Sequence, residues 1–292
     1  MKLREYLQKL INDKSVQADE LRAQIKKAET ADEVRALGDT LNAVLSELAE
    51  AKEQLDAMDE DEEGSERAQT IIAAVERAGY GARIMDEACQ SDNWEENPAL
   101  ANAVLKYLAA EKYGCDIEVF MGYGICFKSL AEWYVQLLAE SLGKRQDRDG
   151  NTVFYGRTPI AAIGTTDMHA QTQQHQDGKR NKVVQFLQVD DLHSDVVLGN
   201  PFSHIPQIAK YEGLSLNRAL QVALLANREA LDNDQRFTAL YRLPHLNAYY
   251  IGEIFYFLML SIAYEGELAN VDAFDQPGVE QYKKIIKREL GK

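Results

Sequence analysis

The chain has 292 residues, a formal net charge of −15 at pH 7 and a sequence pI near 4.8, so it is long enough for one large or two modest domains with a buried core. An acidic chain lacks the clustered Lys and Arg that bind a nucleic-acid backbone, which argues against nucleic acid as a partner and leaves room for a small phosphorylated ligand in a local basic pocket. Its three cysteines have no CxxC spacing and no apolar signal segment follows Met1, a pattern typical of reduced thiols in a cytoplasmic protein.

The first 58 residues carry Leu and Val on one helical stripe and Lys, Glu and Asp on the others. This pattern predicts an amphipathic helix pair or coiled coil at 1–58, antiparallel or self-associating. The break between the helices is expected near 28–31, where Thr30 can cap the second helix with Glu33 at the reciprocal position. The acidic run at 59–66 has no apolar face and predicts a solvated linker, followed by an α/β domain at 67–292.

This N-terminal arm resembles the helical leader of phage major capsid proteins of the HK97 type. The resemblance lies in residues 1–7, Met-Lys-Leu-Arg-Glu-Tyr-Leu, and in residues 31–38, Ala-Asp-Glu-Val-Arg-Ala-Leu-Gly. In that family the leader assists shell assembly, but no segment resembling the capsid shell domain follows here.

After the acidic run, short β-rich segments alternate with helical ones. Strands are predicted at 117–121, 159–163 and 183–189, and helices at 129–142, 215–231 and 245–264. This order indicates an α/β layer with a parallel sheet. The most apolar segment, 251–263, is interrupted by Glu253 and is too short to span a bilayer.

Glu140 lies in the last turn of the predicted helix 129–142, before Gly143 as a C-cap and Lys144 at the negative helix end. A carboxylate there is either an ordinary surface group or a general base. Its apolar neighbours Leu138 and Leu142 favour the partial burial that suits a carboxylate with a role in proton transfer.

The segment 164–172 follows a predicted strand and opens a helix, which places free backbone N–H groups at the sheet edge. Such a site can receive an anion or a sugar oxygen. The alternative is an ordinary capped helix, in which Thr165 and Thr166 serve as caps and His169 is a neutral polar side chain. The other histidines lack ligand-like spacing, so no metal is assigned; they are His175, His193, His204 and His245.

Near the C-terminus, Pro277-Gly278 forms a turn that opens a helix with Lys283 in its first two turns. Together with the elements above, this segment resembles the C-terminal half of glucose-6-phosphate isomerase, over residues 85–290. The matching stretches are 93–99 (Asn-Trp-Glu-Glu-Asn-Pro-Ala), 131–133 (Ala-Glu-Trp), 140–144 (Glu-Ser-Leu-Gly-Lys), 164–169 (Gly-Thr-Thr-Asp-Met-His), 243–247 (Leu-Pro-His-Leu-Asn) and 274–283 (Phe-Asp-Gln-Pro-Gly-Val-Glu-Gln-Tyr-Lys).

The resemblance implies a three-layer sugar-isomerase (SIS-like) domain and an aldose–ketose isomerisation of glucose 6-phosphate and fructose 6-phosphate, a step of glycolysis and gluconeogenesis. It implies a homo-oligomer and an enediolate mechanism without metal or organic cofactor. By position, Glu140 is the expected base between C1 and C2, and His169 assists ring opening across a dimer interface. Lys283 is the second ring-opening and charge-stabilising group, Gln276 is a substrate contact, and Thr165 and Thr166 are candidate contacts.

The family's first half carries phosphate-binding loops and a Gly-Gly-Arg segment, and no such motif precedes Met85. The expectation is therefore an impaired catalyst, or one completed by a partner chain that supplies the other half. Two alternatives stay open: a non-catalytic, self-associating interaction protein, and a fusion of unrelated segments.

Overall fold

The computed structural model describes residues 3–27, 30–57, 62–200 and 202–291. Its helices, in chain order, are α1 Leu3–Ile25, α2 Ala31–Ala57, α3 Glu62–Ala88, α4 Pro98–Tyr113, the 3₁₀ turn Ile125–Phe127, α5 Lys128–Leu142, α6 Thr166–Asp177, α7 Pro206–Ala209, α8 Leu216–Asn233, α9 Ala248–Leu268 and α10 Pro277–Glu289. Its strands are β1 Ile117–Tyr123, β2 Lys144–Gln146, β3 Thr152–Tyr155, β4 Thr158–Gly164, β5 Lys182–Asp191 and β6 Phe237–His245. The chain divides into two compact units, Met1–Glu76 and Arg77–Lys292.

The first unit is built on an antiparallel pair of helices, α1 and α2. Leu7 near the start of α1 shares a buried cluster with Ala51 near the end of α2, and Leu21 shares another with Val44. The predicted capping box is present, since Glu33 N donates to Thr30 Oγ1 at 3.3 Å and Thr30 N donates to Glu33 Oε2 at 3.2 Å. The helix pair and its cap are confirmed; self-association stays a prediction, and residues 28–29 lie outside the described ranges.

The second part of the acidic run at 59–66, residues 62–66, is helical and does not form the linker that the composition predicts. Helix α3 begins at Glu62, while residues 59–61 lie outside the described ranges. Carboxylates are favoured at the positive end of the helix dipole, so an acidic run can open a helix when a helical sequence follows it. The domain boundary shifts as well: residues 67–76 belong to the first unit, because Ala68 and Ile72 pack against its buried Leu7 cluster.

The second unit contains a four-stranded parallel sheet in the order β4-β1-β5-β6. Alternate side chains of β1 point to opposite faces. Phe120 packs into the cluster formed with α5 and α9, whereas Val119 and Met121 pack into the cluster formed with α8. Helices therefore cover both faces of the sheet, and the predicted three-layer architecture is confirmed.

The sequence patterns miss the edge strand β6 and the small antiparallel pair β2–β3. Only one of the nine β6 residues is buried, with four half-buried and four exposed. Pro244 lies within the strand, which is tolerated because β6 is at the sheet edge. The helix predicted at 245–264 accordingly begins at Ala248. None of the described helices is long and apolar enough to cross a membrane.

A buried ionic network joins β1, α4, α9 and the loop before β4. Glu118 of β1 receives Lys106 Nζ at 3.0 Å and Arg157 Nη2 at 2.7 Å, and the same Arg157 Nη2 donates to Glu265 Oε2 at 2.8 Å. Burial alone would raise the pKa of Glu118, but the charges of Lys106 and Arg157 outweigh it and lower that pKa to about 2. The Glu118 carboxylate is thus ionised at neutral pH, and its ion pairs tie the helical layer to the sheet.

Candidate active site

Both oxygens of the Glu140 carboxylate are held by amides. Glu140 lies in the last turn of α5 and is half-buried. Its Oε2 accepts a hydrogen bond from Gln276 Nε2 at 2.8 Å, and its Oε1 accepts one from Gln136 Nε2 at 3.1 Å. Two neutral donors leave the remaining lone pairs of the carboxylate available, so it is oriented and still able to accept a proton.

Lys144 fastens the segment before α10 to the end of α5. This buried side chain donates to the Glu140 carbonyl at 2.9 Å and pairs with Asp275 Oδ1 at 3.0 Å. It also donates to the Asp275 carbonyl oxygen. The expected place of Lys144 at the negative helix end is confirmed, as is Gly143 as the C-cap. Its bond to Asp275, which brings Gln276 beside Glu140, was not foreseen from the sequence.

Gln276 occupies the N-cap position of α10 without capping it. Its side chain makes no capping hydrogen bond within the described chain, because its amide donates to Glu140 instead. The cap position therefore serves to orient a carboxylate that precedes it by more than a hundred residues in the sequence. Pro277 opens α10 as predicted, and Lys283 follows in the second turn.

Lys283 is an exposed cation near this carboxylate. Its Nζ pairs with Glu280 Oε1 at 2.8 Å, on the same face of α10. That hydrogen bond is the main reason why the pKa of Lys283 is raised, and the charge of Glu140 adds to the effect. Lys283 is thus protonated at neutral pH and lies within the electrostatic reach of Glu140.

The Thr165–His169 segment lies where α6 begins. Thr165 takes the N-cap position, but its side chain makes no capping hydrogen bond among the described residues, so capping does not account for its hydroxyl. Asp167 Oδ2 instead accepts a bond from Ile163 N at 2.6 Å and fastens the turn. Thr165, Thr166 and His169 are all exposed.

The topology separates these residues into two groups. Strands β1 and β4 are parallel neighbours, so α5 must return the chain from the carboxyl edge of the sheet to its amino edge. Glu140, in the last turn of α5, therefore lies toward the amino edge, whereas His169 follows β4 at the carboxyl edge. A seven-residue strand spans about 23 Å at 3.3 Å per residue. Glu140, Gln276 and Lys283 form one group in a single chain, and His169 with the two threonines forms another.

A groove of about 910 Å³ borders the Glu140 group. Its walls come from the chain after α5 and from the start of α10, and they include Lys144, Arg145, Arg148 and Gln281. Acidic side chains balance these cations along the same walls, namely Asp147, Asp272 and Asp275. The groove is large enough for a sugar phosphate, but it has no net positive charge.

Comparison with known proteins adds the family context. The family model described as phosphoglucose isomerase matches residues 72–291. A glucose-6-phosphate isomerase of Carboxydothermus hydrogenoformans is 39% identical over 212 residues, covering 73% of this chain and 46% of that protein. One of Methanocaldococcus jannaschii is 34% identical over 211 residues, covering 71% and 49%.

Solved structures agree with these relatives. A hypothetical protein of Thermus thermophilus superposes with a TM-score of 0.68 at 32% identity, over 74% of this chain and 50% of that one. A glucose-6-phosphate isomerase of Chlamydia trachomatis has a TM-score of 0.63 at 21% identity, over 74% and 42%, and shares the fold. The chain thus spans about half the length of the curated relatives it matches. The capsid-like resemblance of the N-terminal arm stays a hypothesis, because the family match begins only at residue 72.

Proposed function

The chain belongs to the phosphoglucose isomerase family, and on that premise we propose that it supplies the general base for interconversion of glucose 6-phosphate and fructose 6-phosphate. The observation that carries the proposal is the hydrogen bond of 2.8 Å between Gln276 and Glu140, which joins two motifs of the family resemblance. We place the activity in the cytoplasm, since the three cysteines all lie in described ranges and are free thiols.

In the proposed mechanism, Glu140 takes a proton from one of the two carbons, C1 or C2, and returns it to the other. Such a transfer needs a carboxylate held within reach of the reacting carbon, and the two amide donors hold this one. The enediolate formed between the two steps is negatively charged, so a nearby cation stabilises it. Lys283 provides that charge, and Gln276 combines orientation of the base with a substrate contact.

His169 is proposed to act in the site of a second copy of the chain. It lies at the opposite edge of the sheet from Glu140, and it makes no hydrogen bond or ion pair with the Glu140 group in the described part of the chain. Its exposure leaves it free to enter another subunit. A homo-oligomer is therefore part of the proposal, with Thr165 and Thr166 entering the same shared site.

Turnover by this chain alone is proposed to be slow. The bordering groove carries balanced charge, and the family's phosphate-binding loops and Gly-Gly-Arg segment, whose arginine is expected to stabilise the enediolate, have no counterpart in the sequence. Losing one preorganised electrostatic donor costs on the order of 10²-fold in rate. A partner polypeptide that supplies these groups would restore the rate.

Exchange of the C2 proton with solvent tests the assignment of the base. The purified chain is incubated with fructose 6-phosphate in deuterated water, and deuterium at C2 of glucose 6-phosphate is followed by proton NMR, which detects slow turnover. We expect Glu140→Gln to abolish incorporation and Lys283→Ala to slow it at least about tenfold. Lys284→Ala, which removes a neighbouring exposed lysine, is the matched control and should leave the rate unchanged. Undiminished incorporation by Glu140→Gln would remove Glu140 from the mechanism.

Mixing two inactive variants tests the shared site. Glu140→Gln and His169→Ala are each expected to be inactive alone, whereas subunits mixed under dissociating conditions and reassembled should regain activity. Recovery arises because a mixed oligomer contains one site with both an intact Glu140 and an intact His169. If the mixture stays as inactive as its components while light scattering shows mixed oligomers, His169 does not act across the interface.

A non-catalytic role in self-association is the second candidate, and one observation in the first unit favours it. Ile71 and Val75 of α3 are 57% and 66% exposed, and their i, i+4 spacing places them on one helix face. The full-length double variant Ile71→Glu/Val75→Glu is expected to have a lower mass in light scattering. An unchanged mass would count against this surface as the association site.

A further inference from the structure

A second pocket lies at the amino edge of the sheet, beside the first residues of β5 and β6. Its volume is about 360 Å³, within the range of small-molecule sites. Its walls include Tyr113 at the end of α4, His175 at the end of α6, Lys182 of β5 and Phe237 of β6. None of the residues assigned above to the isomerase lines this pocket.

The pocket is basic although the protein is acidic. Lys179, Arg180, Lys182 and Arg236 line it, and the described lining residues include no carboxylate. Asp234, just outside, is shared by the two arginines, at 3.1 Å from Arg180 Nη2 and 2.8 Å from Arg236 Nε. One carboxylate facing two guanidinium groups leaves an excess of positive charge at the pocket wall.

Lys182 is the buried cation of the group, with 7% of its surface exposed. Its Nζ donates to neutral oxygens, the Lys179 carbonyl at 3.0 Å and Asn181 Oδ1 at 2.9 Å. Burial lowers the pKa of Lys182, and the charge of Arg236 lowers it further, while Asp116 acts in the opposite sense. An anion in the pocket would relieve the repulsion among these cations.

His175 contributes an unmet hydrogen bond. The side chain is 4% exposed, and its Nδ1 has no hydrogen-bond partner among the described residues. Burial lowers the pKa of His175, with Lys182 adding to the effect, so the imidazole is neutral. A buried polar atom without a partner is rare in folded proteins, and a ligand or water held at this wall would satisfy it.

An aromatic pair forms the rim of the pocket. The rings of Tyr113 and Phe237 are 5.1 Å apart, and the two residues are 63% and 40% exposed. Exposed aromatic side chains next to cations can stack on the face of a heterocyclic base. The pocket therefore offers both a charge for a phosphate and a platform for a ring.

We propose that this pocket binds a nucleoside monophosphate, with the phosphate on Lys179, Lys182 and Arg236 and the base against Tyr113 and Phe237. A ligand that has only a phosphate or only a base would contact either the cations or the aromatic pair, but not both. The pocket is a separate binding site from the isomerase site, because the two have no residue in common. It does not depend on the proposed function, and it holds whether or not the chain is active alone.

Calorimetric titration of the full chain at low salt tests the proposal with three probes: AMP, adenosine and inorganic phosphate. We expect saturable binding of AMP. Adenosine should bind at least about tenfold more weakly because it lacks the charged hydrogen bonds of the phosphate, and inorganic phosphate should bind at least about tenfold more weakly because it lacks the stacked base. Lys179→Glu should weaken AMP at least about tenfold. Phe237→Leu should weaken AMP and leave phosphate unchanged.

Two control variants separate this pocket from other sites. Lys210→Glu reverses an exposed lysine whose Nζ lies 4.9 Å from the Tyr211 ring centre, outside the pocket, and should bind AMP like the wild type. Glu140→Gln should also bind AMP normally. Circular dichroism of each variant verifies that it is folded.

Three results would overturn the proposal. The first is no saturable AMP binding up to about 1 mM. The second is phosphate binding as tight as AMP binding, which would make this a simple anion site. The third is loss of AMP binding in Glu140→Gln with retention in Lys179→Glu, which would place AMP in the isomerase site.

Discussion

Replacing Arg157 by Met removes the cation that two buried carboxylates share. Arg157 donates to Glu118 at 2.9 and 2.7 Å and to Glu265 at 2.8 Å, and the side chains of both acids are fully buried. Lys106 stays beside Glu118 at 3.0 Å, so Glu265 becomes the uncompensated charge. Breaking such a buried pair from one side costs about 3–5 kcal/mol. For a unit the size of Arg77–Lys292, each kcal/mol lowers Tm by about 2–4 °C, which predicts a loss of about 6–20 °C.

Tryptophan fluorescence during thermal unfolding measures this loss, because both tryptophans, Trp94 and Trp133, belong to the second unit. Arg148→Met is the matched control: it breaks another Arg–Glu pair, with Glu267, but those side chains are 37% and 59% exposed. It should cost at most about 1 kcal/mol. Adding Glu265→Gln to Arg157→Met should recover part of the loss. Equal Tm values for Arg157→Met and Arg148→Met would refute the reasoning that burial makes this network costly to break.

Three further outcomes are expected. Gly81→Ala should destabilise by about 1–3 kcal/mol, because its new Cβ would collide with the carbonyl oxygen of Tyr249 in α9. Gly79→Ala, with open space among the described atoms, should instead stabilise by about 0.5–1 kcal/mol in urea titration. Asn97→Ala should cost about 2–4 kcal/mol at an unchanged urea m-value, since Asn97 caps α4 and its buried amide satisfies two carbonyl oxygens at 2.8 and 3.0 Å. Because the pKa of His175 is lowered in the folded state, the unfolded chain binds the proton first as the pH falls below 6.5. Between pH 6.5 and the folded pKa, the free energy of unfolding of the wild type should therefore fall by up to about 1.4 kcal/mol per pH unit, and His175→Asn should not show this loss. Equal urea midpoints of the two proteins at low pH would contradict this.

The core elements of the second unit were predictable because their patterns are strong and local. Strand β1 reads as a β-rich run and α5 as an amphipathic helix with Gly143 after it, and both lie where the sequence predicts. Strand β6 was missed because an edge strand buries few of its side chains. The acidic start of α3 was misread because its charges suit both a solvated linker and the positive end of a helix.

The buried ionic network around Glu118 could not be predicted from the sequence. It is a single acidic residue within an apolar strand, and this is the only local sign of the network. Its partners Lys106 and Arg157, and Glu265 on the other side of Arg157, come from three other parts of the chain. Which buried charge meets which is decided only when helices α4 and α9 pack on the sheet.

The sequence by itself determined the family resemblance, the parallel α/β order, and the identity of Glu140, Gln276 and Lys283 as candidates. The α/β order follows from local spacing and residue type, whereas the roles of Gln276 and Lys283 follow from the resemblance. The tertiary structure decided which candidates meet: Gln276 lies on Glu140 because Lys144 fastens Asp275 to the end of α5. It also decided that His169 lies at the opposite edge, since a helix between two parallel strands must run back across the sheet. Distances between residues far apart in the chain depend on packing, which no local pattern encodes.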